Sequence, residues 1–300
     1  MKIQEVSNVV SGSIPFDELS GGIDLYRTLA SGQTYRWRRE DGHLFEPPTS
    51  LPTPWYETVA EGAVIRVRQE ETSLHWQGSR DIEEHVRHML RLEDNLPNIL
   101  EQGPTDDIYQ EAIEAHRGMR LVVDSLYIGL ISFICSTQMH VERIHKMVQT
   151  LMREVGTPIK LDGRTYYAFP TPEQLAACSE AELRACGLGY RAPYVRETAQ
   201  AMACDEAPLP STSHTEYEQL REQLTIYPGV GPKVADCALL FGMGCLEPVP
   251  LDRWIQRAIR DHFPSCDRDS YAETSRAIRS YLGPYPGYAQ TYLFHHLRTS

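Results

Sequence analysis

Lys233 follows a glycine turn in YPGVGPKVADC, Tyr227 to Cys237, and opens an apolar run. In the first turn of a helix, its ammonium would face the positive end of the helix dipole. Partial desolvation acts in the same direction and favours the neutral amine. A neutral lysine attacks carbon, so the position suits an amine nucleophile. A phosphate-contacting or merely solvated lysine is the plainer use of the same place. Asp252, in EPVPLDRW, precedes a second helical stretch and reads as its N-cap. A carboxylate fixed there is expected to stay ionised. Beside a sugar it could stabilise positive charge developing on the anomeric carbon.

The turn Gly229-Val230-Gly231 admits three readings. GVGPKVA fits a dinucleotide-binding GxGxxA, with Asp252 near the expected acidic position. That motif needs a buried strand before it, however, and a charged amphipathic helix precedes this one. A Walker loop fails on spacing, because no GxxxxGK[ST] occurs. The third reading is helix–hairpin–helix. One helix ends near Leu224, a tight glycine hairpin follows, and Pro232 takes the favoured first position of the next. Free backbone N–H groups there, at Gly229, Gly231 and Val234, could donate to a phosphate oxygen. Glycine lets such a phosphate approach without a Cβ in the way.

The elements that must position these residues divide in two. The chain has 300 residues, enough for two ordinary domains, and 41% of them are apolar. The first hundred are expected to be β-rich. YRWRREDGHLFE carries an Asp41-Gly42 turn signal between two strand-like pieces. AVIRVRQ and SLHWQG are strand candidates, and PPTSLPTP is a proline-rich connection. From Asp81 the spacing of Ile82, Val86, Met89 and Leu90 turns helical, and almost everything after it reads as helix. The stretch YIGLISFICSTQMHVERIHKMVQTLMREVG predicts one long apolar-faced helix stopped by Gly156. TPEQLAACSEAELRACG predicts two short capped helices. SHTEYEQLREQL predicts a helix with Thr215 as N-cap and Glu218 as its capping-box partner. The expected architecture is α+β: a small β-rich N-terminal domain, residues 1–110, and a larger helical domain, residues 111–300.

Composition narrows the function classes. The seven cysteines include no CxxC pair, which argues against a disulfide framework or a structural zinc site. Most are expected to be buried, and the His295-His296 pair to lie at the surface. The longest apolar-rich run, Val234 to Leu246, is broken by Asp236 and two glycines, short of the roughly 18 residues a membrane span needs. No signal-peptide core opens the chain, so an intracellular protein is expected. The net charge of −12 argues against wholesale nucleic-acid binding. It leaves room for a local DNA-facing surface of backbone amides and a few arginines.

With its glycine hairpin, lysine and downstream VPLD, the chain resembles the helix–hairpin–helix DNA glycosylases. It is most similar to the eukaryotic-type 8-oxoguanine DNA glycosylases. SGQTYRWR, FICSTQMHVERI, GLGYRAPYV, PGVGPKVADC and GPYPGYAQTYLF carry the resemblance, in the family's order and over nearly the whole chain. The resemblance implies excision of 8-oxoguanine, preferably opposite cytosine, followed by strand cleavage. Lys233 would be the Schiff-base nucleophile and Asp252 the electrostatic partner. The Gly32 carbonyl would accept the N7 hydrogen that normal guanine lacks. Cys237 and Phe294 would sandwich the extruded base and Gln290 would bond its Watson–Crick edge. By spacing alone Cys237 and Phe294 read as core, and Gly32 as a turn glycine. Tyr190 would wedge the duplex, and Arg191 and Arg143 would read the orphaned cytosine. On the residues alone these are a packed tyrosine and surface arginines.

The chain also departs from the family. Gln138 stands where an asparagine fills the gap left by the flipped base, with Met139 and His140 replacing further polar residues. Trp254 stands at a phosphate-contacting histidine's place. No required cofactor, iron–sulfur cluster or zinc is expected. The family implies one monovalent cation, K+ or Na+, on the carbonyls of Thr225, Tyr227 and Val230. The expected partner is double-stranded DNA containing 8-oxoguanine, bound by a monomer. A related glycosylase for alkylated or deaminated bases, or a non-catalytic clamp on DNA, are the competing readings.

Overall fold

The computed structural model describes residues 4–6, 8–204, 209 and 216–299. Eight strands are found among them: β1 (Gln4–Val6), β2 (Val10–Pro15), β3 (Arg38–Arg39), β4 (Tyr56–Ala60), β5 (Ala63–Gln69), β6 (Ser73–Gly78), β7 (Pro158–Leu161) and β8 (Arg164–Tyr167). Five form an antiparallel sheet in the order β2-β6-β5-β4-β3. AVIRVRQ and SLHWQG are β5 and β6, as expected. The Asp41-Gly42 turn is present, with Gly42 at φ +83°, but only the residues before it pair as a strand. The piece after it is turn and coil.

Both faces of this sheet are covered, which explains the broken alternation of β5. Ile65 and Val67 pack with Ile14, Trp37 and Leu74 in one apolar cluster. Val64 and Val59 pack on the opposite face with Ile159, Leu161 and Tyr166. Those three partners belong to the β7–β8 hairpin, which interrupts the part expected to be almost wholly helical. β1 pairs parallel with β7 and completes a second, three-stranded sheet.

The helices are α1 (Leu25–Ala30), α2 (Glu83–Met89), α3 (Leu96–Glu101), α4 (Asp107–Ala115), α5 (Leu126–Cys135), α6 (Val141–Val155) and α7 (Pro172–Ala177). They continue as α8 (Glu180–Ala185), α9 (Ala192–Ala203), α10 (Tyr217–Leu224), α11 (Pro232–Ala238), α12 (Arg253–His262), α13 (Tyr271–Tyr281) and α14 (Pro286–Thr299). The fold is α+β, a small sheet region joined to a helical body. Among the described residues, no helix is long and apolar enough to cross a membrane.

Two expectations about the helices need correction. The long stretch 127–156 is two helices, because Ser136 caps α5 and Gln138 adopts a left-handed backbone at φ +55°. α10 starts at Tyr217 after Glu216, with no side-chain cap; Thr215 lies outside the described residues. Glu218 reaches instead to Arg279 on α13. The paired short helices α7 and α8 do carry capping boxes, Thr171 with Gln174 and Ser179 with Glu182.

α5 is apolar on nearly every side and buried in the helical core with α11, α12 and α14. Fully buried Arg120 ties the two parts together. It donates to the carbonyls of Gly22 (2.7 Å), Ser20 (2.8 Å) and Arg91 (2.6 Å), which satisfies most of its fork. Arg36 and Asp124 form a buried ion pair nearby, and Asp124 N–H donates to the Phe241 carbonyl at 2.7 Å, just beyond α11.

Candidate active site

The hairpin between α10 and α11 is set by its backbone. Tyr227 N–H donates to the Leu224 carbonyl at 3.3 Å, and Val230 N–H to the Tyr227 carbonyl at 3.1 Å. Gly229 turns the chain at φ +78°, and a Cβ there would sit 2.8 Å from the Tyr194 side chain. Glycine is therefore required twice over at 229. Gly231 caps α11 with an ordinary φ of −92°, and a Cβ there would meet nothing within 4 Å. Its open side faces away from the protein. No hydrogen bond among the described residues occupies the N–H groups of Gly229, Gly231 or buried Val234. They are free donors of the kind that helix starts offer to anions.

Pro232 is the first residue of α11 and Lys233 the second. The Lys233 amine lies 3.4 Å from the Ser136 hydroxyl and 5.6 Å from the centre of the Phe133 ring. Asp252 is the N-cap of α12, and its Oδ1 accepts from the N–H groups of Trp254 and Ile255, both at 2.9 Å. Burial pushes its carboxyl above the ordinary carboxylate range, against the pull of those two amides and of the Lys233 charge. The cap was legible in the sequence. The expectation of a plainly ionised group there left out the burial.

Lys233 and Asp252 line one cavity of about 820 Å³. Cys237, Gln290, Phe294 and Gly32 line it as well, from three separate regions of the chain. Gly32 has φ +94°, and a Cβ would press on Val141 at 3.0 Å. Burial raises the Cys237 thiol to about 11, so it presents a neutral sulfur. Gln290 is buried and donates to Thr291 Oγ1 at 2.6 Å, which leaves its carbonyl oxygen free. Gln138 reaches the cavity from the α5–α6 connection, and Trp254 from the start of α12, with Arg253 over its ring at 5.0 Å.

Arg143, Tyr190 and Arg191 do not line the cavity. Arg143 is exposed on the first turn of α6. Tyr190 is 50% exposed. Arg191 is only 4% exposed, which corrects its reading as a surface arginine. It donates to the Thr137 carbonyl and lies 4.4 Å over the Tyr190 ring. All three thus gather around the Ser136–His140 connection.

Sequence reasoning missed Ser136 and Phe133, which contact the lysine amine, and Arg298, which lies behind Phe294 at 5.8 Å. Arg298 stands four residues after Phe294, a helical spacing that could have flagged it. His295 is buried edge-on against His116, not at the surface as expected, with ring centres 4.5 Å apart. Four of the cysteines are buried and Cys204 is exposed.

The family model of the HhH-GPD superfamily base excision DNA repair proteins matches residues 131–284. The chain belongs to that superfamily. The model of the 8-oxoguanine DNA glycosylase N-terminal domain matches residues 14–126. A "Probable N-glycosylase/DNA lyase" of Methanothermobacter thermautotrophicus is 31% identical over 304 residues, 93% of this chain and 95% of that protein. The N-glycosylase/DNA lyase of Saccharomyces cerevisiae is 32% identical over 272 residues, 83% of this chain and 71% of that protein. The Clostridium acetobutylicum 8-oxoguanine glycosylase/lyase, solved with duplex DNA containing cytosine opposite 8-oxoguanine, superposes with a TM-score of 0.80 at 25% identity. It covers 92% of both chains.

The hairpin carbonyls named for a monovalent cation lie together at the α10–α11 turn. The carbonyls of Thr225 and Val230 accept no hydrogen bond among the described residues, and that of Tyr227 accepts one, so the set fits a monovalent ion. No group of three or more His, Cys, Asp or Glu placed to hold a metal occurs among the described residues.

Proposed function

We propose that this chain is a bifunctional DNA glycosylase and abasic-site lyase. It excises 8-oxoguanine, preferably opposite cytosine, and cuts the strand. The observation that carries this reading is the placing of an amine, Lys233, and a carboxyl, Asp252, on the wall of one cavity roomy enough for a nucleotide. The hairpin amides of Gly229, Gly231 and Val234 hold a phosphate, and a K+ or Na+ on Thr225, Tyr227 and Val230 sits beside it. The duplex is gripped by one copy of the chain, inside the cell. The division at 110/111, with the base entering between the two parts, belongs to the same reading.

The flipped base lies between Cys237 and Phe294. Its N7–H donates to the Gly32 carbonyl and its Watson–Crick edge meets Gln290. Normal guanine has a lone pair at N7, so two acceptors would face each other there. The Lys233 amine attacks C1′ as the glycosidic bond breaks, and the bonding pair leaves with the base. Asp252 stabilises the cationic sugar meanwhile. Ring opening gives a C1′=N Schiff base. Loss of a C2′ proton then expels the 3′ phosphate, and water releases the amine. Tyr190 fills the duplex, Gln138 the vacated place, and Arg143 and Arg191 meet the cytosine. Arg191 must first leave the Thr137 carbonyl.

The test is borohydride trapping on an 8-oxoguanine:C duplex. A covalent complex forms with the native chain and disappears in Lys233→Gln, while duplex binding survives. Trapping that persists in Lys233→Gln places the nucleophile elsewhere.

A further inference from the structure

Asp236 lies three residues after Lys233 on α11 and is 0% exposed. A carboxyl buried so deeply costs several kcal/mol unless it is fully partnered, and an apolar residue of similar volume often serves stability as well or better. Its partners are specific. Tyr217 on α10 donates its hydroxyl to Oδ1 at 2.5 Å, and Tyr271 on α13 donates to Oδ2 at 2.7 Å. Arg221 stands 3.9 Å from Oδ1 and donates to the Tyr217 hydroxyl at 3.2 Å; Arg279 covers the Tyr217 ring at 4.5 Å.

The two tyrosines differ in the donor that each hydroxyl accepts, which for Tyr217 is Arg221 on its own helix. The Tyr271 hydroxyl also accepts the backbone N–H of Leu251 at 3.2 Å. Leu251 directly precedes Asp252. A continuous chain of polar contacts therefore runs from the helix bearing Lys233, through Asp236 and Tyr271, to the backbone that carries Asp252. The Tyr217 hydroxyl is bonded to Asp236 and Arg221 and does not reach that backbone.

We infer that Asp236 and Tyr271 are positioning residues, a buried strut that fixes the distance between the amine of Lys233 and the carboxyl of Asp252. The inference rests on the roles proposed above for those two groups. Each sits at the start of its own helix, and the two helices are joined through a π-helical turn, Leu239–Met243, and then a loop of irregular backbone, Gly244 to Leu251. Such a loop does not by itself hold two reacting groups to the tolerance catalysis needs. The strut crosses beneath it. It touches neither base nor sugar, so it acts only by holding the other two.

Tyr271→Phe cuts the strut, and Tyr217→Phe removes an equivalent phenol from the same carboxylate without cutting it. The full-length native chain and both variants are compared on an 8-oxoguanine:C duplex. The readouts are single-turnover excision, borohydride trapping, duplex Kd and melting temperature. Tyr271→Phe is expected to slow excision and trapping by about 10-fold or more, as a small misplacement of reacting groups does, with Kd unchanged. Tyr217→Phe is expected to stay within about 3-fold, the scale of one modest hydrogen bond, even where its melting temperature falls as far. Equal rate losses in the two variants, or losses that follow melting temperature, overturn the strut. If Tyr271→Phe does not fold, Asp236→Asn takes its place under the same criterion, since it keeps the shape but one acceptor oxygen. Absence of excision and trapping in the native chain overturns the proposed function, and this inference with it.

Discussion

The amine of Lys233 and the hydroxyl of Ser136 face each other at 3.4 Å, across the gap between α11 and the end of α5. The hydroxyl donates its own hydrogen to the Phe133 carbonyl at 2.7 Å, so a lone pair is turned to the lysine. Ser136→Ala removes that acceptor and leaves the helix end otherwise intact. A net hydrogen bond of ~0.5–1.5 kcal/mol corresponds to roughly a 2- to 10-fold slower trapping reaction. Rapid-quench borohydride trapping measures it, and an unchanged rate means that the hydroxyl does not orient the amine.

Asp252 has two duties that different substitutions separate. As an N-cap it accepts two amides, and asparagine caps nearly as well. Asp252→Asn should therefore melt close to the native chain, whereas Asp252→Ala loses about 1 kcal/mol. Both should excise base about 100-fold more slowly or worse, since the charge facing the sugar is gone. Burial raises the carboxyl, so it ionises above the ordinary carboxylate pH and the acid limb of excision should lie above about 3.8. The sign for stability is the reverse: a raised value means that stability linked to this group is greatest at low pH and falls as pH rises through the folded value. An excision rate and a melting temperature followed against pH, for the native chain and Asp252→Asn, check both.

The hairpin glycines should fail in different ways. Gly229→Ala puts a Cβ 2.8 Å from the Tyr194 side chain at φ +78°, and a stability loss of ~1–3 kcal/mol follows from the strained backbone. Gly231→Ala meets nothing in the protein and needs no unusual φ, so its melting temperature should hold. Its methyl group would instead stand where a phosphate approaches the free amides. Duplex affinity should drop several-fold or more, read by fluorescence anisotropy alongside the melts. A Gly231→Ala variant with native affinity would remove the hairpin from the DNA interface.

What the sequence disclosed followed the range of the forces involved. β5 and β6 were legible because alternation and turn residues are local. So were α7 and α8 as two short capped helices, the Asp252 cap and the start of α11 at Pro232. The break between α5 and α6 was not, because helical spacing continues through it and Gln138 carries neither glycine nor proline to announce a left-handed turn. The β7–β8 hairpin did have a signal, Asp162-Gly163, both at positive φ, but its strands are four residues each and earn their burial only against the distant face of β4 and β5. Partners far along the chain were hidden in every case. Glu218 pairs with Arg279, Arg191 turns to Thr137, and Asp236 reads only as an interruption of an apolar run until Tyr217 and Tyr271 are placed around it.

His116 should make the stability of the fold sensitive to mild acid. Its ring is buried against His295 and His296, and neither ring nitrogen has a partner among the described residues. Burial lowers it to about 4, with the positive charges of Arg27 and Arg298 and a protonated His296 acting the same way and Asp24 against them. A histidine lowered in the folded state binds its proton first in the unfolded chain. Its contribution is therefore complete above about 6.5 and lost as pH falls toward 4, by on the order of 2–3 kcal/mol. His295 is lowered further, to about 2, and extends the loss to lower pH. Asp236, raised to about 6, works in the opposite sense, since stability linked to it grows as pH falls from 6 toward 3.8. The two can be told apart by substitution. His116→Phe keeps an aromatic ring that cannot titrate, so its melting temperature should fall less than the native one between pH 6.5 and 4. Asp236→Asn should fall more over the same interval. Parallel native and His116→Phe curves would assign the acid sensitivity to other groups.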